Sequence, residues 1–156
     1  MSTRSCIIVK VSRNDIGKTI KFDAKKTPTK SWEETWRDES SKEKSKPIKL
    51  EKGYIGIYCH WDGYFEYVGK LLKENYNDYE KALNLVSGGF CSSLEVDSIK
   101  HYANRKGEEW EYIKPILGET PKDIYAKVGH NGYVYLFEDG AWKALDEESN
   151  FSDYEY

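Results

Sequence analysis

Residues 133–145, YVYLFEDGAWKAL, constrain the fold more than any other stretch of the chain. Two runs of aromatic and aliphatic residues flank Asp139-Gly140, and Asp-Gly is the dipeptide that a two-residue hairpin turn demands. An antiparallel sheet is therefore expected at this end of the chain. A second β-branched run, CIIVKVS at 6–12, reads as a strand. Asn14-Asp15-Ile16-Gly17 reads as a turn into 19–24, where Ile20 and Phe22 alternate, so these two runs are expected to pair as a hairpin. Residues 54–60 give a further strand. The strands at 6–12, 19–24, 54–60 and 133–137 are expected to share one sheet.

Helical spacing enters after residue 63. Phe65, Val68, Leu72 and Tyr76 repeat at three and four, with Leu71 beside them, which predicts a helix over 64–76. Gly69 sits inside it at a cost of about 1 kcal/mol against Ala, and close approach to a strand is a sufficient reason. Asn77 with Glu80 three later forms a capping-box pattern. It opens a second helix with Tyr79, Leu83 and Val86 on its apolar face and Gly88-Gly89 at its end. A short helix is predicted from Ser98 to Lys106, capped by Asp97, and a strand over EWEYIKP at 109–115. Thr120, Pro121, Asp123 and Gly129 mark the ends of a fourth helix; a strand competes there, since Ile124, Ala126 and Val128 alternate. Strands and helices mix without βαβ repetition, so the expected class is α+β, a single domain with a mainly antiparallel sheet and three to four short helices packed on it.

A chain of 156 residues suits one domain, which buries roughly 70% of its unfolded surface. Hydrophobic residues are only 38%, but aromatics reach 15%. Thirteen tyrosines and five tryptophans can build a core and still leave aromatic faces for contact. The domain is expected over 1–145. Within it, 25–49 reads as a charged, mobile insertion, in which Trp32 and Trp36 could share a helix face. Residues 146–156 form an acidic tail with five acids and no base. No helical or strand period organises that tail, so it is expected to aid solubility or pack locally through its aromatics. A net charge of −3 gives no case for direct DNA binding. Cys6, Cys59 and Cys91 are odd in number and show no CxxC spacing. With no signal peptide and no apolar run long enough to span a bilayer, the economical expectation is a cytoplasmic protein with reduced thiols and no membrane partner.

The chemistry concentrates in GIYCHWDGY, residues 56–64. An apolar strand ends in Cys59, His60, Trp61 and Asp62, and a glycine precedes the helix. Asp62 can cap the helix through the N–H of Tyr64 or Phe65, Gly63 permits a sharp turn, and His60 can be a hydrogen-bonded strand-end residue. Cys59 and His60 are adjacent on a strand and point to opposite faces, which disfavours a nucleophile–base pair. His60 and Asp62 share a face if the strand continues, and a His–carboxylate pair is half of a triad. Its third member would be Ser92 or Ser93, and a small hydrolase using His60 and Asp62 stays open on that ground. His101 and His130 carry no metal spacing, and no P-loop or dinucleotide fingerprint implies a cofactor. No catalytic residue and no metal site is assigned, and an enzyme is less expected than a binder.

MSTRS at the start, IYCHWDGY followed by VGKLLKENY, SSL at 92–94, NRKGE at 104–108 and the final YVYLF-DG-W resemble a family of small proteins of bacteriophages, prophages and some bacterial genomes. The resemblance covers most of the chain apart from the insertion and the tail. Its CHWDGY block is specific, with Phe65 here where the family pattern has proline. The family supplies no catalytic residues to carry over. It implies a gene of mobile elements, and hence a protein that counters a host defence or regulatory system by binding. The candidate contact residues are Arg4, Ser5, His60, Trp61, Asp62, Tyr64, Ser92, Ser93 and Arg105. Arginine, serine and aromatic groups together suit an anionic, ring-bearing ligand. The expected partner is a nucleotide-like small molecule, or alternatively a host protein, and homo-oligomerisation stays open.

Overall fold

The computed structural model of the chain describes residues 3–27, 45–95, 99–104, 109–128, 132–146 and 152–154. The strands are β1 (Ser5–Lys10), β2 (Thr19–Ile20), β3 (Ile48–Lys49), β4 (Tyr54–Cys59), β5 (Cys91–Leu94), β6 (Ile99–His101), β7 (Ile116–Gly118), β8 (Tyr133–Glu138), β9 (Ala141–Asp146) and β10 (Ser152–Tyr154). The helices are α1 (Lys70–Asn75), α2 (Tyr79–Ser87), α3 (Trp110–Ile113) and α4 (Pro121–Val128).

One sheet runs β10-β9-β8-β1-β4-β5-β6, with β7 also on β4. β1 pairs antiparallel with β4 and parallel with β8, and β4 pairs parallel with β5. The other pairings in the sheet are antiparallel. The fold is α+β, a single domain with a mainly antiparallel sheet, as the sequence predicts.

β1 is covered on both faces, which is why its sequence is an unbroken apolar run. Ile7 and Val9 join α1 and α2 in one cluster, with Leu72, Leu85 and Val86. Cys6 and Ile8 face α4, with Ile124, Tyr125 and Val128. Burial of this apolar surface on both faces is the main stabilising term. α4 approaches closely because Gly56 of β4 carries no side chain; a Cβ there would stand 2.7 Å from Ile124.

Local chemistry explains three elements. Asp139 (φ 54°) and Gly140 (φ 80°) both take the positive φ of the tight turn between β8 and β9. Thr120 Oγ1 accepts from Asp123 N at 3.1 Å and Asp123 Oδ2 accepts from Thr120 N at 3.2 Å, a reciprocal box that opens α4. The helix expected over 64–76 forms with an irregular entry: Phe65–Gly69 is one π-helical turn, and α1 follows. Trp142 Nε1 donates to the Tyr76 carbonyl at 2.8 Å and satisfies the end of α1.

Five expectations need correction. Residues 19–24 do not pair with β1; Thr19–Ile20 pairs with Ile48–Lys49 in a separate two-stranded sheet, because both edges of β1 are taken by β4 and β8. The cap of α2 is Asp78 rather than Asn77, accepting from Lys81 N at 2.8 Å. The region of the expected helix 98–106 starts as β6 and continues into a 3-10 turn, Tyr102–Asn104; its expected cap, Asp97, lies outside the described residues. EWEYIKP is largely α3 rather than a strand, because Trp110 and Ile113 bury one side of a helical turn against Phe90 and Ala103. The tail contributes a strand, since Ser152–Tyr154 pairs with Asp146, Leu145 and Ala144 of β9. Most of the charged insertion, Trp32 and Trp36 included, lies outside the described residues.

Candidate functional site

The polar cluster stands at the carboxyl end of β4, where the chain leaves the sheet for α1. The pairing with β5 runs past the strand: His60 N donates to Cys91 O at 3.1 Å and Trp61 N to Ser92 O at 3.1 Å. Asp62 then turns the chain in a left-handed conformation (φ 56°), which a short polar side chain tolerates. Gly63 passes directly over the start of β1. Its N–H donates to the Thr3 carbonyl at 2.7 Å and its carbonyl accepts from Tyr135 Oη at 2.6 Å. A Cβ on Gly63 would lie 2.7 Å from Ser5 Cβ and 2.8 Å from the Thr3 carbonyl. Glycine is required here for close approach. The expected cap by Asp62 does not form, as the helix is entered at Tyr64 with no side-chain cap.

His60 is fixed by Tyr58. The two share a hydrogen bond of 2.5 Å between Tyr58 Oη and His60 Nδ1. Burial is the leading influence on the Tyr58 phenol and pushes its pKa up; Arg4 stands near enough for its charge to pull the other way. The donor and acceptor roles in this bond follow the imidazole tautomer, and a donating phenol corresponds to a ring N–H at Nε2. Trp61 stands edge-on to the His60 ring, centroids 4.7 Å apart at 87°, and is 43% exposed. Arg4 is also exposed. The structure thus brings Arg4, His60 and Trp61 to one rim, with Tyr58 as the buttress behind them.

The other candidates stand differently. Ser5 is buried, with its hydroxyl against the Cys59 thiol and no other side-chain hydrogen bond among the described residues. Strand alternation puts Ser5 on the α1/α2 face with Ile7 and Val9, away from Arg4. Ser92 is half-buried in the irregular stretch where β5 shifts register against β6, and Ser93 is buried. Tyr64 lies against Tyr67, rings 6.4 Å apart. Asp62 accepts no hydrogen bond through its carboxylate from described residues. Arg105 and His130 lie outside the described residues. The sequence reading missed Tyr58, although its position two before His60 on a strand places both on one face.

The thiols are poor nucleophiles. Cys6 and Cys59 are fully buried and their pKa values are pushed up to about 12, chiefly by burial; Cys91 is raised well above the ordinary range for the same reason. Among the described residues, no group of His, Cys, Asp and Glu has the arrangement to hold a metal ion, and no helix is long and apolar enough to cross a membrane.

His101 is a structural residue. It is buried, its Nε2 bonds to the Leu85 carbonyl at 3.0 Å, and its ring meets Phe22 edge-on at 4.7 Å. Burial lowers its pKa to about 4. Gly88 makes room for the ring, since a Cβ there would stand 2.5 Å from it.

No protein-family model, curated protein or solved structure matches the chain.

Proposed function

We propose that the protein is a non-enzymatic binder and that the rim of Arg4, His60 and Trp61 is its contact site. The observation that carries this is the exposed Trp61 ring seated on His60, with an arginine on the same rim. A large aromatic held at the surface supplies a stacking face for a planar group. The arginine supplies a fork for a phosphate. His60 Nε2 adds a donor. An anionic, ring-bearing molecule of nucleotide type satisfies all three. The location supports the reading too: β4 and β5 are parallel neighbours joined through α1 and α2, and ligands of such units sit beyond the carboxyl ends of the strands.

The hydrolase alternative gains less support. His60 Nδ1 is paired with a phenol rather than with a carboxylate, and a neutral partner of this kind does not stabilise an imidazolium as an aspartate does. The resemblance to phage and prophage proteins extends the proposal to its purpose, the sequestering of a host nucleotide signal in countering defence or regulation. A host protein docking on Trp61 is the second reading, favoured by the enrichment of exposed tryptophan in protein contacts.

The test is to purify the protein from bacterial lysate, denature it and identify released small molecules by mass spectrometry. A nucleotide released from the wild type and missing from Trp61→Ala and Arg4→Ala is the expected result. An empty protein that captures one host protein through Trp61 would replace the nucleotide reading with the inhibitor reading.

A further inference from the structure

The opposite end of the sheet holds a cleft of about 690 Å³. It lies where the parallel strands β1 and β8 both end, between the loop after β1, residues 53–54 at the start of β4, and the β8–β9 turn. Carboxyl ends of parallel strands are where open sheets accept ligands, and the volume falls in the range of small-molecule sites.

Its walls are firmly set. Tyr79 of α2 receives the Ser12 N–H at 2.9 Å and donates to Asp15 Oδ2 at 2.8 Å, which pins the loop after β1. Val11 N donates to the Gly53 carbonyl at 2.8 Å and holds the second wall. Ile16, 44% exposed, is an aliphatic side chain that this loop leaves in solvent at the cleft, which the half-buried Tyr54 also lines.

The charges select the ligand. Lys10 is 3.8 Å from Glu138 and Lys18 is 3.3 Å from Asp15, so these pairs largely neutralise each other. Arg13 has no ion-pair or hydrogen-bond partner among the described residues, and its fork is open to an acid group. Asp139 on the turn keeps the cleft near neutral overall, since two bases, Lys10 and Arg13, and two acids, Glu138 and Asp139, line it. A polyanion therefore gains little there, whereas a single carboxylate on an apolar body meets both Arg13 and the Ile16–Tyr54 surface. We infer that this cleft is a second binding site, for a small amphipathic carboxylic acid, with Arg13 as its anchor.

The site is independent of the rim at Trp61, and the test separates the two. Amide spectra of the ¹⁵N-labelled protein are recorded during titration with 3-phenylpropanoate, with 3-phenylpropan-1-ol and with 3-phenylpropylamine. The carboxylate is expected to give saturable shifts at Ser12, Arg13, Ile16, Gly53 and Gly140, with none at His60 to Asp62. The alcohol should bind more weakly and the amine more weakly still. Arg13 is exposed, so Arg13→Ala should keep the native spectrum, weaken the carboxylate about tenfold and leave the alcohol unchanged, as loss of one charge-assisted contact requires. Equal binding of amine and carboxylate would overturn the inference. So would shifts centred on Trp61, the absence of saturable shifts, or an Arg13→Ala affinity equal to wild type.

Discussion

Gly63 shows how one residue positions the site. Its backbone is clamped between the Thr3 carbonyl and the Tyr135 hydroxyl, with Ser5 where a side chain would have to go. Gly63→Ala should therefore cost about 1–3 kcal/mol, the ordinary penalty of overpacking a well-filled spot, read as a lower urea midpoint. His101 makes the second prediction at this scale. Its folded pKa of about 4 lies below the ordinary histidine value of 6.5, so the unfolded chain takes up a proton that the folded chain refuses. The sign follows: stability is fully retained above pH 6.5 and is lost as pH falls toward 4. The loss amounts to about 2–3 kcal/mol by pH 4.5. His101→Gln keeps an N–H donor for Leu85 O but cannot titrate. Urea unfolding at pH 7 and pH 4.5 should show the variant less stable than wild type at pH 7, yet losing about 2–3 kcal/mol less on acidification. Equal losses in both proteins would show that His101 is not the group responsible.

Elements whose ends are written in local chemistry are the ones the sequence makes legible. The β8–β9 hairpin follows from Asp139-Gly140, and α4 from Thr120, Pro121 and Asp123. Thr120→Ala should cost about 1 kcal/mol, the usual worth of an N-cap, measured by thermal or urea unfolding. Where partners are distant in sequence, the reading failed. β1 pairs with residues 54–59 and 133–137 instead of its neighbour at 19–20, a choice no local turn signal encodes. Residues 99–101 and 110–113 exchange helix and strand because pairing with β5 and burial of Trp110 under Phe90 decide them, and tertiary contacts override propensity. For the rim, the CHWDGY block was readable because polar residues at a strand end stand out. Its convergence with Arg4 needed the β1–β4 register, Ser5 opposite Cys59. The cleft around Arg13 was not readable at all, since separate segments of the chain line it.

At the scale of the whole molecule, one sheet presents two ends with different chemistry, an aromatic rim at one and an amphipathic cleft at the other. The sheet's β9 edge is covered by β10, and an uncovered edge is a template for pairing with another chain. Deleting residues 147–156 should thus leave the fold intact by circular dichroism and raise self-association on size-exclusion chromatography; an unchanged monomer–oligomer balance would show that β10 does not guard the edge. The central claim is that Arg4, His60 and Trp61 bind an anionic, ring-bearing molecule without transforming it. The most direct measurement is the affinity of the nucleotide released from the purified protein for wild type, Trp61→Ala and Arg13→Ala, with the bound molecule recovered afterwards by mass spectrometry. The account predicts at least a roughly tenfold loss in Trp61→Ala, as removal of a stacking face brings, wild-type affinity in Arg13→Ala, and recovery of the molecule unchanged. A converted product whose formation stops in a folded His60→Ala variant, or full affinity in Trp61→Ala, would contradict it.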